Sequence, residues 1–156
     1  MTKQRLLLAA PRYNEGDRRV VHSLKRILSK HYDVYLLPGA WDQRLLIQLY
    51  GVDETTTGAF VGECGYLAVQ DCDVVLCVFD GAHIDTGVGV AQGAAAASKR
   101  PKPCYALQTD IRRLLPTGNN PMNNGSLARA PFPTIDSVRS WARRLKKKKS
   151  KRRRVK

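Results

Sequence analysis

The sequence contains no long apolar run and no closely spaced pair of cysteines. No stretch approaches the roughly 18 consecutive apolar residues of a membrane helix, and polar residues interrupt residues 1–17 too soon for a secretory signal. Its four cysteines form no Cys-x-x-Cys pair, which disfavours a disulfide framework or a metal site and favours buried free thiols. A chain of 156 residues can build one core but not two ordinary domains. We therefore predict one intracellular, cytoplasmic domain without a membrane span.

Acidic residues are scarce beside basic ones, and the excess of positive charge is local. Residues 143–156 hold eleven lysines and arginines, so that only +3 of the net charge of +14 belongs to residues 1–142. Because dense like charges repel one another and bury no apolar surface, we expect a domain over residues 1–145 and a disordered basic tail over 146–156. Such a tail binds polyanions or an import receptor, which would allow a nuclear location, or it serves only solubility.

Short apolar runs alternate with segments of helical periodicity. The runs predict four strands, at residues 6–10, 33–37, 74–79 and 104–107. Helical spacing predicts helices over residues 16–31, 59–70, 88–98 and 134–146, and the segments 51–58 and 115–133 have the composition of loops. This alternation indicates a single-domain α/β fold, with a flavodoxin- or Rossmann-like parallel sheet flanked by helices.

The third predicted strand is followed at once by Asp80-Gly81, by Asp85 and by a helix rich in small residues. Ligands of open α/β sheets bind at the carboxyl ends of strands, where carboxylates can bind hydroxyl groups or transfer protons. Glycines at positions 87, 89 and 93 would let the helix approach a ligand, or they serve only tight packing. Their spacing does not match a dinucleotide fingerprint. These features predict a small-molecule site.

The segment Val78-Phe-Asp-Gly-Ala-His-Ile-Asp-Thr-Gly87 resembles the signature of the nucleoside 2-deoxyribosyltransferases. Three further elements resemble the same family: Leu8-Ala-Ala-Pro11, Asp71-Cys-Asp73 and Asn120-Pro-Met122. The resemblance implies exchange of the base of 2′-deoxyribonucleosides through a glycosyl-enzyme intermediate, with deoxyribonucleosides and nucleobases as partners and purines favoured. It implies no metal or organic cofactor.

The resemblance also implies a missing nucleophile. The family places a glutamate six residues after the motif aspartate, and this chain has Ala91 there. Alanine cannot attack the sugar, so the chain is either an engineered knockout, which the otherwise intact site favours, or a natural relative that binds without this chemistry. Leu7 replaces a tyrosine that orients the nucleophile, and Gly65 replaces a polar residue that contacts the base. Glu63 or Tyr66 could compensate.

The resemblance gives the remaining positions specific roles. Asp85 would hydrogen-bond the base and help to protonate its leaving nitrogen. Asn120 and Met122 would complete the sugar pocket, often from a neighbouring subunit, which predicts a homo-oligomer with shared active sites. The other expected substrate contacts are at the rim of the site and in the loop after the first strand: Asp80, Gly81, Gly87, Tyr13 and Asn14. The last two are equally compatible with turns.

Three alternatives remain open. A nucleotide N-hydrolase would need a phosphate pocket, in which Arg12 could serve. A protein that binds nucleosides without catalysis would not need a nucleophile. A nucleic-acid-binding protein would act through the basic tail.

Overall fold

The computed structural model describes residues 3–37, 47–49, 51, 53–81, 83–114, 119 and 121–154, with only the backbone at 112 and 145–154. The strands are β1 (Gln4–Ala9), β2 (Tyr32–Leu36), β3 (Val74–Val78) and β4 (Cys104–Leu107). The helices are α1 (Glu15–Leu28), α2 (Glu54–Asp71), α3 (Thr86–Ala97), α4 (Pro121–Gly125) and α5 (Ile135–Arg154), and a 3-10 turn covers Ile111–Leu114.

The four strands form one parallel sheet in the order β2-β1-β3-β4, which confirms the predicted fold class. Leu6 of β1 pairs with Val34 of β2 on one side and with Val74 of β3 on the other. The chain therefore leaves β1 toward one edge of the sheet and returns to build the other edge from β3. The loops that follow β1 and β3 diverge at this point, and such a switch point is where open α/β sheets hold ligands.

Both faces of the sheet are covered, because successive residues of each strand point to opposite sides. Leu6 and Leu8 belong to a buried cluster that includes residues of α1 and α5, whereas Leu7 belongs to a second cluster with residues of α2 and α3. Every residue of β3 is buried. Burial on both faces explains why β1 and β3 contain continuous apolar runs, whereas the edge strand β2 alternates exposed residues with buried or half-buried ones.

Two predicted loops contain regular structure. The helix expected to begin at residue 59 begins at Glu54, because the side chain of Asp53 accepts a hydrogen bond from the Thr56 amide (2.9 Å) and caps the first turn. The predicted loop 115–133 contains α4, and Leu127 and Phe132 bridge in parallel to β4 beside it. Polar and glycine-rich composition concealed both features.

Helix α5 continues to Arg154, although the sequence indicated an end near residue 146. Its first turns are held in the core by Val138, Trp141 and Ala142, which are at most 5% exposed. The domain boundary expected at residue 145 is therefore not an end of secondary structure. A disordered tail stays a prediction for measurements in solution.

All four cysteines lie in the described part of the chain and are free, as expected. Cys72, Cys77 and Cys104 are buried, whereas Cys64 is only half-buried, which corrects the expectation that all are buried. Burial raises the pKa of Cys104 to about 11, so this thiol stays protonated at neutral pH. In the ranges described above, no helix combines the length and the apolar character needed to cross a membrane.

Tyr32 offers a test of the core. Its ring stacks on Trp141 with a centroid distance of 5.9 Å, but its buried hydroxyl has no hydrogen-bond partner among the described residues. We expect Tyr32→Phe to increase the free energy of unfolding by about 1 kcal/mol, because it removes an unpaired polar atom and keeps the ring. Urea titrations of both chains measure this difference.

The pH dependence of Tyr32 gives the same test a second readout. Burial, and secondarily Tyr105, raise the pKa of Tyr32 to about 12, above the value of about 10 in the unfolded chain. The parent chain therefore loses stability as the pH rises from about 10 to 12, and Tyr32→Phe removes this loss. Tyr66→Phe, on an exposed tyrosine of α2, is the control. A lower free energy of unfolding in Tyr32→Phe than in the parent chain would contradict a buried Tyr32 hydroxyl that has no hydrogen-bond partner.

Candidate active site

A hydrogen bond crosses the crevice between the loops that follow β1 and β3. Asp85 caps α3, since its Oδ1 accepts a hydrogen bond from the Val88 amide (3.0 Å). The Tyr13 hydroxyl donates to its Oδ2 at 2.7 Å. Asn14 caps α1 by accepting from the Asp17 amide (2.9 Å), which fixes the loop that carries Tyr13. Two residues predicted from the sequence, Tyr13 and Asp85, thus meet at the switch point of the sheet.

This contact changes the titration of Tyr13. The hydrogen bond to Asp85 raises the pKa of Tyr13 above its ordinary value, and partial burial and the nearby carboxylates Asp85 and Asp17 add to the increase. Because the pKa is raised in the folded state, the stabilisation from this contact is complete below the ordinary tyrosine pKa of about 10. It is lost as the pH rises through the raised value.

We therefore expect Asp85→Asn to lower the pKa of Tyr13 toward its ordinary value, because an amide does not repel the phenolate. The ultraviolet titration curve of the chain, minus the curve of its Tyr13→Phe variant, gives the titration of Tyr13 alone. The same subtraction between Asp85→Asn and the Asp85→Asn, Tyr13→Phe double variant gives the pKa of Tyr13 without the Asp85 carboxylate. Equal pKa values of Tyr13 in the two backgrounds would mean that the hydrogen bond is absent in solution.

Asp80 and Gly81 join the loops after β3 and β4. The Asp80 carboxylate accepts hydrogen bonds from the amide and the hydroxyl of Thr109 (2.5 and 3.1 Å) and from the Asp110 amide (3.2 Å). Gly81 has a φ of 119°, a conformation that favours glycine, and its amide donates to Asp110 Oδ2 at 3.3 Å. Asp80 also lines a small recess with Pro11. Both residues lie at the rim, where substrate contact stays a prediction.

The three glycines of α3 differ in their surroundings. A Cβ atom at Gly87 would lie 3.2 Å from Asp85 Oδ1, so glycine keeps space beside the capping carboxylate. A Cβ atom at Gly89 or Gly93 would meet nothing within 4 Å among the described residues. Close approach of a ligand at these three glycines therefore stays a prediction.

The position expected for the nucleophile lies in apolar surroundings. Ala91 is 4% exposed and belongs to the buried cluster that includes Leu7, Val88 and Phe79. Leu7 occupies the position where the resemblance implies a tyrosine that orients the nucleophile. The two departures from the family pattern thus lie in one cluster of the core.

Gln92, the next residue of α3, holds the segment around α4. Its amide nitrogen donates to the carbonyl oxygen of Asn123 (2.6 Å) and to the hydroxyl of Ser126 (2.7 Å), and its side chain is buried. Met122, on α4, is 82% exposed. Asn120, the other residue of the expected late element, lies outside the described residues. Sequence reasoning treated Gln92 only as a poor nucleophile and missed this structural role.

A second buried amide orders the loop after β4. Gln108 is fully buried and exchanges two hydrogen bonds with the Asn119 side chain (2.7 and 3.1 Å). It also donates to Asp110 Oδ1 at 3.2 Å. The Asn119 amide reaches Asn124 Oδ1 at 3.3 Å. In the sequence, Gln108 is a polar residue directly after the predicted fourth strand, and that position could have indicated its role.

Other positions predicted from the sequence have no part in the Tyr13–Asp85 contact. Arg12 donates from Nη2 to the carbonyl oxygen of Leu37 (2.9 Å), which ties the loop after β1 to the end of β2. Glu63 and Tyr66 are exposed on α2, and His83 is exposed before α3. The described parts of the chain contain no group of three acidic, histidine or cysteine residues placed to hold a metal ion.

Comparison with known proteins decides the family. Residues 6–137 match the family model described as nucleoside 2-deoxyribosyltransferase. The chain belongs to this family. The match covers the crevice, Asp85 and the position of Ala91, and it ends within the first turn of α5. A search among curated proteins gave no match.

Two solved structures share the fold of the family. A conserved protein from Enterococcus faecalis V583 is similar with a TM-score of 0.69 and 19% identity, over 92% of this chain and 99% of that one. A 2-deoxyribosyltransferase from Bacillus psychrosaccharolyticus is similar with a TM-score of 0.64 and 20% identity, over 86% of this chain and 90% of that one. At these identities the similarity concerns the fold.

Proposed function

We propose that the crevice between the loops after β1 and β3 binds a 2′-deoxyribonucleoside, with Asp85 against the base. The observation that carries this proposal is the placement of Asp85. It caps α3 at the switch point of a sheet of the nucleoside 2-deoxyribosyltransferase family, and the hydroxyl of Tyr13 holds its second oxygen. A base that displaces Tyr13 would find a carboxylate already fixed in position.

In the base exchange that this site would support, Asp85 at the start of α3 and position 91 in its middle have different duties. Asp85 would take up a proton from solvent, hydrogen-bond a ring nitrogen of the base, and transfer that proton to the base as its bond to C1′ breaks. A carboxylate at position 91 would attack C1′ as the base departs, and an incoming base would reverse the step with net retention. Purines fit best, because Gly87 leaves the wall beside Asp85 small.

The present chain would bind without completing this exchange. Ala91 supplies no nucleophile, and Leu7 supplies no hydroxyl to orient one. Because both lie in one apolar cluster, the carboxylate and its orienting phenol are replaced together by core residues. This pairing supports a relative that binds nucleosides rather than a site disabled at one position.

The site would be completed by a second copy of the chain. Met122 exposes 82% of its surface on α4, which Gln92 holds against α3. A methionine so exposed offers a flexible apolar contact to a nucleoside in a neighbouring subunit. Sedimentation equilibrium should therefore give the mass of an oligomer, and a monomer at all concentrations would contradict shared sites.

Calorimetric titration tests the proposed binding. We expect the chain to bind 2′-deoxyadenosine or 2′-deoxyguanosine, Asp85→Asn to bind it about tenfold more weakly, and Asp85→Ala to bind it more weakly still. Asp136→Asn, which removes a carboxylate from the first turn of α5, is the matched control and should bind normally. Equal affinity in the chain, in Asp85→Asn and in Asp85→Ala would contradict the role of Asp85.

A further inference from the structure

The proposed nucleoside site does not use the last turns of α5. Residues 143–154, which we name the basic segment, are helical and contain ten lysines and arginines. Only Leu145 and Ser150 interrupt the basic residues. Trp141 and Ala142 are buried in the core directly before the segment, so the start of the basic segment is anchored to the domain. We propose that the basic segment binds duplex nucleic acid as a helix, independently of the nucleoside site.

The spacing of charge along the helix matches a duplex. Twelve helical residues extend about 18 Å at a rise of about 1.5 Å per residue. Ten cations over this length give one positive charge per about 1.8 Å. Double-stranded DNA carries one negative charge per about 1.7 Å of its axis, whereas each separate strand carries one per about 3.4 Å. The basic segment therefore has nearly the charge density of two strands and about twice that of one.

The sequence of the segment disfavours other anionic partners. A helix that lies in a membrane interface, or in the groove of a partner protein, needs an apolar stripe at three- and four-residue spacing. Leu145 is the only apolar residue of the basic segment, so no such stripe exists. The major groove of a duplex admits an α-helix and presents phosphates on both sides. A uniformly cationic helix suits this environment.

Binding should also stabilise the helix itself. Lysines and arginines three and four residues apart repel one another, which weakens the helix of the free chain at low salt. Phosphates that neutralise these charges remove the repulsion. We therefore expect the helical signal in circular dichroism to increase when a duplex is added to the full-length chain. An unchanged helical signal at saturation would contradict docking as a helix.

Fluorescence anisotropy with the full-length chain tests the proposal. The probes are a short duplex of mixed sequence and one of its strands, each titrated over a series of salt concentrations. The test variant carries Lys146→Gln, Lys147→Gln, Lys148→Gln and Lys149→Gln. The control variant loses four exposed cations elsewhere, at Lys25, Lys30, Lys99 and Arg100. Nucleoside binding by both variants should be unchanged, which separates this proposal from the function of the crevice.

We expect the chain to bind the duplex more tightly than the single strand. In the test variant, the slope of log K against log salt concentration should fall by about 3.6 for the duplex, which is about 0.9 for each cation removed. The control should change the slope by less than about 1. Tighter binding to the single strand, an equal loss of slope in the control, or binding to phosphatidylserine vesicles but not to the duplex would overturn the proposal.

Discussion

The Ala91→Glu variant is expected to exchange the base of a 2′-deoxyribonucleoside, and the chain with Ala91 is not. The substitution supplies the carboxylate that attacks C1′, six residues and about 9 Å along α3 from Asp85. We expect exchange at least about 10³-fold above the rate of the parent chain, as measured by chromatography of a deoxynucleoside incubated with a second free base. Ala91→Gln, which has the same shape without a carboxylate, is the matched control and should remain inactive.

The apolar surroundings of position 91 shape this result. Ala91 and Leu7 share a buried cluster, so a glutamate there is partly desolvated and its pKa should be raised. Exchange should therefore increase as the pH rises through that pKa, because only the ionised carboxylate attacks. The variant should also lose about 1–3 kcal/mol of stability. Urea titration of Ala91→Glu and Ala91→Gln separates this loss from catalysis.

Leu7→Tyr extends the prediction to the orienting group. Alone it should give no exchange, because position 91 still lacks a nucleophile. Combined with Ala91→Glu it should raise exchange above that of the single variant, since a phenol in the same cluster can hydrogen-bond the carboxylate. Exchange by Leu7→Tyr alone, or by the parent chain, would contradict the assignment of position 91.

Asp85→Asn in the Ala91→Glu background is expected to reduce exchange by about 10²- to 10⁴-fold. Asparagine caps a helix nearly as well as aspartate, so α3 should keep its first turn, but an amide cannot transfer the proton to the leaving base. Asp85→Ala should lose the same activity and, in addition, about 1 kcal/mol of stability from the missing cap. Chromatographic exchange assays and urea titrations on the two variants separate the loss of proton transfer from the loss of the helix cap.

A change of the leaving base distinguishes proton transfer by Asp85 from a merely structural role. A purine methylated at N7 departs without an added proton, so the deficit of Asp85→Asn should shrink for that substrate. Asp136→Asn, in the first turn of α5, should leave exchange unchanged with both substrates. The same deficit with both bases would mean that Asp85 acts only through the position of α3.

The centre of the sheet was predictable because β3 is buried on both faces. Residues 74–78 form an uninterrupted apolar run, which is typical of a central parallel strand. The start of α2 was not predictable from apolar periodicity, because its cap at Asp53 lies in a segment rich in threonine and glycine. The extension of α5 through the basic segment was also missed, since like charges at helical spacing weaken a helix.

The candidate site was predictable in its components but not in its contacts. The sequence identified Asp85 and left Tyr13 open between a substrate contact and a turn residue. Their hydrogen bond joins positions 72 residues apart and depends on the adjacency of β1 and β3. The proximity of Leu7 and Ala91, by contrast, was implied by the family resemblance, which pairs these two positions. Sequence spacing carries no information on a pair such as Tyr13 and Asp85, because strand order sets it.

Trapping of the covalent intermediate shows directly whether the residue at position 91 attacks the sugar. In the proposed site, position 91 lacks the nucleophilic carboxylate and Leu7 lacks the phenol that would orient it, and the carboxylate alone is expected to permit exchange. The Ala91→Glu chain, quenched in acid after incubation with a 2′-deoxyribonucleoside and no acceptor base, should carry one deoxyribosyl group on the peptide that contains residue 91. The parent chain should carry none. An adduct on another residue, or on the parent chain, would contradict the account.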